Sequence, residues 1–271
     1  METLREACVA VLLTPGADAK ADAAQGLCAR WMRGGIELSA QGPDVPDRPA
    51  RPARPQLLAP GAMPKRKRAG SPAMRFALLH ALAHIELNAI DLAVDLVARW
   101  GAGMPPAFTT DWLRVADEEA QHFTLLQGLL AAAGGGYGDL PAHDGLWEAA
   151  LLTAHDLEAR LAIVPQVLEA RGLDVTPTMI ARFEEMGDEQ TAAVLQRILT
   201  DEITHVEAGN RWFRAVCAES LTEPASRFRE LVARWFRGSV KPPFNDSARR
   251  QAGLTTDWYT ELGLQDTATK R

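Results

Sequence analysis

Glu119-Ala-Gln-His122 and Glu202-Ile-Thr-His205 are the two stretches that decide how this chain reads. Both have the form Glu-x-x-His. On a helix, residues three apart sit about 60° apart around the axis and ~4.5 Å along it, so a carboxylate and an imidazole can address one metal ion. One such pair means little. With 18 glutamates and 6 histidines in 271 residues, roughly 0.4 pairs arise by chance. Two pairs, each in the middle of a long predicted helix, carry more weight.

The surrounding sequence supplies those helices. Ser71-Pro72 suits an N-cap followed by a first-turn proline. Residues 73–100 then run rich in Ala and Leu without Gly or Pro, up to Gly101-Ala-Gly-Met-Pro-Pro106. The spacing predicts a second helix from Thr110-Asp111 to Ala133, closed by the glycine-rich loop 134–141. A third starts near His143-Asp144, reaches at least Arg171, is interrupted over Gly172 to Pro177 and resumes over 178–186. A fourth covers Glu189 to Ala218, after a reversal at Gly187-Asp188. No alternating strand pattern of useful length is present. The expectation is an all-α protein with four long helices in two antiparallel hairpins.

Two further carboxylates complete the pattern. Glu86 is the sole glutamate of the first helix, set among Leu79, Leu82, Ile85, Ile90 and Leu92. A carboxylate there must be paired or metal-bound, because burying it bare is costly. The third helix offers Glu169 or Glu158. Glu169 precedes Glu202 by 33 residues, the same separation as Glu86 from Glu119. Glu158 pairs better if the chain reverses at Gly172, which would leave a long connection over 173–188. Glu118 and Asp201, each just before a motif glutamate, are either solvated charges or partners for a ligand imidazole. His80 and His84, one turn apart, read as core histidines with a metal role as the alternative. His155 reads as structural and His143 as a cap or surface group.

Outside residues 73–218, residues 1–40 read as an N-terminal helical extension broken at Thr14-Pro15-Gly16. Residues 41–72 form a proline-rich arm, lying on the surface or wrapping a partner subunit. It ends in the basic run Lys65-Arg-Lys-Arg68. Residues 219–271 read as a C-terminal helical extension and tail, with a shorter helix at 223–237 and a last one at 246–252. A net charge of −6 and a pI near 5.6 argue against a general nucleic-acid binder. No apolar run reaches the ~18–20 residues of a membrane span. Three scattered cysteines, Cys8, Cys28 and Cys217, argue for a reducing, cytoplasmic setting rather than a disulfide framework.

The set Glu86, Glu119, His122, Glu169, Glu202 and His205 resembles the ferritin-like di-metal carboxylate superfamily. More closely, His84–Ala93, Tyr137–Trp147 and Leu168–Pro177 resemble a bacterial ferritin-like family, domain of unknown function 455, across most of the chain. Leu168-Glu-Ala-Arg171 is also similar to the third-helix segment of tRNA-modifying di-iron hydroxylases, in which the glutamate of a Glu-Ala-Arg run is a metal ligand. That resemblance favours Glu169. It implies a ferritin-like four-helix bundle over 73–218 holding two iron ions, or manganese. The implied activity is an O2-dependent oxidoreductase or hydroxylase acting on a small molecule of unidentified structure, with an RNA base left open. A homodimer is compatible with it. The alternatives are iron storage and peroxide detoxification.

Overall fold

The computed structural model describes residues 1–64 and 71–269, and all regular structure among them is helical. The basic run at 65–68 lies outside the described residues. The helices are α1 (Leu4–Leu12), α2 (Ala17–Met32), α3 (Pro72–Trp100), α4 (Pro106–Ala132), α5 (Gly145–Leu152), α6 (Leu157–Ile163), α7 (Ala170–Glu185), α8 (Glu189–Glu219), α9 (Pro224–Trp235), α10 (Asp246–Gln251) and α11 (Thr256–Thr269). A π-helical segment, Val164–Glu169, joins α6 to α7. The chain forms two compact units that divide after Trp147.

In the first unit, α3 packs along α4, α2 lies on α4, and α1 lies on α3. Ser71 caps α3, its hydroxyl accepting from the Met74 N–H at 3.3 Å, with Pro72 in the first turn. Helix α4 starts four residues before the predicted Thr110. Pro105-Pro106 reads as a breaker, yet a proline in the first turn gives up only an N–H that would have no helical partner there.

Every residue of α3 from Glu86 to Ala98 is buried, so each polar side chain in that stretch needs a partner. Asp91 takes Lys20 at 2.6 Å and Arg51 at 2.9 Å. The Lys20 ammonium also donates to the carbonyls of Ala50 and Leu12. Asn88 accepts from Arg51 at 2.7 Å, and Asp95 pairs with Arg99. These bonds draw the proline-rich arm onto its own chain. Leu58 N–H donates to Ala142 O and Ala142 N–H to Gln56 O, while the Trp147 indole donates to Asp47 O.

The second unit differs from the sequence expectation. The third helix is not one rod interrupted at 172–177. It consists of α5, a break at 153–156, α6, the π-helical segment and α7, and α7 runs unbroken through Gly172 and Pro177. Two prolines, Pro165 and Pro177, fall within this stretch. Each lacks the N–H that would pair with the carbonyl four residues back. A side-chain amide supplies the missing donor both times: Gln166 Nε2 to Leu161 O at 3.0 Å, and Asn245 Nδ2 to Leu173 O at 3.1 Å. At Pro165 the helix also widens, so that Ala170 N–H reaches Pro165 O, five residues back. The proline ring lies against Gly209 of α8, where an added Cβ would fall 2.4 Å from Pro165 Cβ.

Helix α8 runs antiparallel to α7 after the turn at Gly187, which has a φ of +72°. The C-terminal elements close this unit. Arg249 of α10 makes a buried two-pronged pair with Asp174 of α7, at 2.8 and 2.7 Å. Helices α9 and α10 fall close to the expected spans. Helix α11 lies beyond the last helix expected at 246–252.

Candidate metal centre

In the first unit, α3 and α4 bring Glu86, Glu119 and His122 together. Each offers a ligand atom, and these atoms lie within 4.8 Å of one another. His122 Nδ1 lies 3.2 Å from Glu86 Oε2 and 3.5 Å from Glu119 Oε2. Glu119 and His122 are fully buried, and Glu86 is 3% exposed. Burial and the neighbouring Glu119 push the Glu86 carboxyl up to about 8. Burial alone would lower the His122 imidazole, but its bonds to Glu119 and Glu86 outweigh that and raise it to about 12. Two carboxylates and an imidazole in so dry a place need positive charge, supplied by protons or by a cation. The donor set is a cluster that could hold a metal ion.

In the second unit, Glu202 and His205 stand one turn apart on α8, with His205 Nδ1 3.8 Å from Glu202 Oε2. His205 is fully buried and Glu202 is 9% exposed. The motif therefore has the form of Glu119 and His122, with Nδ1 turned toward the carboxylate. Glu169 is half-buried at the end of the π-helical segment. Glu158 has different company. It pairs with Arg227 of α9 at 2.7 Å and accepts from the Ser220 hydroxyl at 3.1 Å.

The other candidates have structural partners. His80 Nε2 accepts from the Gly138 N–H at 2.9 Å. His84 Nε2 lies 3.0 Å from the His143 carbonyl and 3.2 Å from the Asn88 amide nitrogen, and Nδ1 lies 2.7 Å from the Tyr137 hydroxyl. Both rings hold the 137–143 loop against α3. Burial lowers the His84 imidazole to about 4. His143 Nδ1 accepts from the Gly145 N–H at the start of α5, and His155 meets Trp235 edge-on. Asp201 pairs with Arg197 one turn earlier on its own helix. The three cysteines are buried free thiols.

Two groups escaped the sequence reading. Tyr137 packs edge-on against Phe123, the residue after His122, and stacks on His80. Gln166 accepts from Asn210 of α8 at 3.0 Å while it satisfies Leu161. The signal for Gln166 was its place directly after a mid-helix proline.

Residues 13–260 match the family described as "Protein of unknown function (DUF455)". An uncharacterized protein of Haemophilus influenzae (strain ATCC 51907 / DSM 11121 / KW20 / Rd) is 43% identical over 215 residues, spanning 76% of this chain and 74% of the relative. No solved structure matches. With nearly its whole length matched, the chain belongs to the DUF455 family.

Proposed function

We propose that this protein is a ferritin-like di-metal carboxylate oxidoreductase. In this reading the α3–α4 hairpin and the hairpin of α6, α7 and α8 are the two halves of a four-helix bundle. Glu86, Glu119 and His122 form one ligand set; Glu169, Glu202 and His205 form the other. The observation that carries the proposal is the convergence of Glu86, Glu119 and His122 in a buried cluster, drawn from two helices and separated by the spacing that recurs at Glu169 and Glu202. The ion pair of Glu158 with Arg227 favours Glu169 as the ligand from the third helix.

Two first-row metal ions held by four carboxylates and two imidazoles would supply O2-dependent oxidation chemistry. The chain's own part is to orient and to exclude water. The regular helices fix Glu119 against His122 and Glu202 against His205. Buried Leu87, Ile90, Ala116, Ala120 and Phe123 flank the first set along α3 and α4. Metal uptake would displace the protons that Glu86 and His122 otherwise hold, so uptake releases protons and weakens as pH falls.

The test is metal content by elemental analysis. Glu119→Ala and His205→Ala should each remove about one of the two metals expected per chain. Unchanged stoichiometry in both would refute the ligand assignment. Full metal content with no O2 consumption by the reduced protein would instead favour storage.

A further inference from the structure

The second unit contains a cavity of about 210 Å³ whose lining includes none of the ligand residues above. Its apolar wall comes from Val167 and Leu168 of the π-helical segment and from the rings of Phe236, Phe244 and Tyr259. Its charge is one-sided. Asp174, the one acid in the lining, already serves both prongs of Arg249, the Asn245 N–H and Arg171. Arg171 commits Nη1 to the carbonyls of Lys241 and Pro243, and no described residue takes its Nε or Nη2. Lys241 is exposed at the same cavity, and its ammonium has no partner among the described residues.

We propose that this cavity binds a small aromatic carboxylate. The volume sets the size: about 150 Å³ of apolar cavity holds benzene, so this one takes a single ring with a short substituent. The aromatic walls suit the ring. The surplus positive charge of Arg171 and Lys241, with the only lining acid neutralised, suits one carboxylate at the polar side. This inference does not depend on the metal proposal.

Calorimetric titration of the full-length protein tests it with three probes: benzoate, its neutral counterpart benzyl alcohol, and the ringless acid butyrate. Benzoate should bind one to one, with the other two at least about tenfold weaker, because each lacks one of the two recognition elements. Lys241→Glu should weaken benzoate about tenfold or more by reversing a charge at the carboxylate. Leu168→Trp should abolish binding by filling the space, with the fold checked by circular dichroism. Absence of benzoate binding at millimolar concentration, equal binding of benzyl alcohol, or an unchanged affinity in Lys241→Glu would overturn the proposal.

Discussion

The two hairpins carry the same pattern, a Glu followed 33 residues later by Glu-x-x-His, on backbones of different regularity. In the first, α3 and α4 are long and uninterrupted, and Glu86, Glu119 and His122 meet without any local distortion. In the second, α8 is equally regular, but the facing strand of helix is assembled from α6, a π-helical segment and α7, with Glu169 at the joint. A spacing rule holds wherever the helix is regular; a mid-helix proline widens the helix at Pro165 but leaves α7 unbroken at Pro177. The two hairpins are anchored alike. A buried ion pair ties each to its flanking elements: Asp91 with Lys20 and Arg51 in one, Asp174 with Arg249 in the other.

The largest effects should come from breaking those anchors. Asp91→Ala strands Lys20 and Arg51, Asp174→Ala strands Arg249 and takes a carboxylate from Arg171, and each should cost about 3–5 kcal/mol in urea unfolding. A change below ~1 kcal/mol in either would show that the anchor is dispensable. A comparable cost should appear in the first unit on acidification. His84 is held neutral down to about 4, whereas in the unfolded chain it titrates near its ordinary 6.5. Between those values the unfolded state takes the proton first. Stability should therefore be fully present above pH 6.5 and fall by on the order of 3 kcal/mol as pH drops toward 4. His84→Gln should flatten this acid limb, and an unaltered pH profile would exclude His84 as its source.

Smaller effects should come from the π-helical joint. Gly209→Ala drives a methyl into the Pro165 ring and should cost about 1–3 kcal/mol. Pro165→Gly in the same chain, which removes both ring atoms the methyl would meet, should recover part of that loss in a double-mutant cycle. Additive costs would mean that the two positions do not share one contact. The smallest effect should be that of Glu158→Ala, which removes a partly exposed ion pair worth about 1 kcal/mol or less. It should leave metal content unchanged, whereas Glu169→Ala lowers it. The reverse outcome would transfer the ligand role to Glu158.

The comparison also shows what was legible in the sequence. The starts of α3 and α8, the reversal at Gly187 and the burial of Glu86 follow from capping residues, periodicity and the cost of a lone carboxylate. The approach of Glu119 to His122 follows from helix geometry, and the meeting of Glu86 with that motif follows from the four-carboxylate pattern that the resemblance implies. The build of the third helix did not follow. Gly172 and Pro177 look like a break, but α7 survives them because Asn245, far along the chain, supplies the missing donor. The distortion fell instead at Pro165, where Gln166 and Gly209 accommodate it. Such compensations are tertiary, and local patterning does not register them. His80 and His84 were ambiguous for the same reason, since their partners lie in the 137–143 loop.

Elemental analysis of the full-length protein, purified after expression in medium supplemented with iron and manganese, decides whether the chain holds a di-metal centre. About two metal ions per chain are expected, falling to about one in Glu119→Ala. A fully folded protein that carries no metal under those conditions would contradict the account.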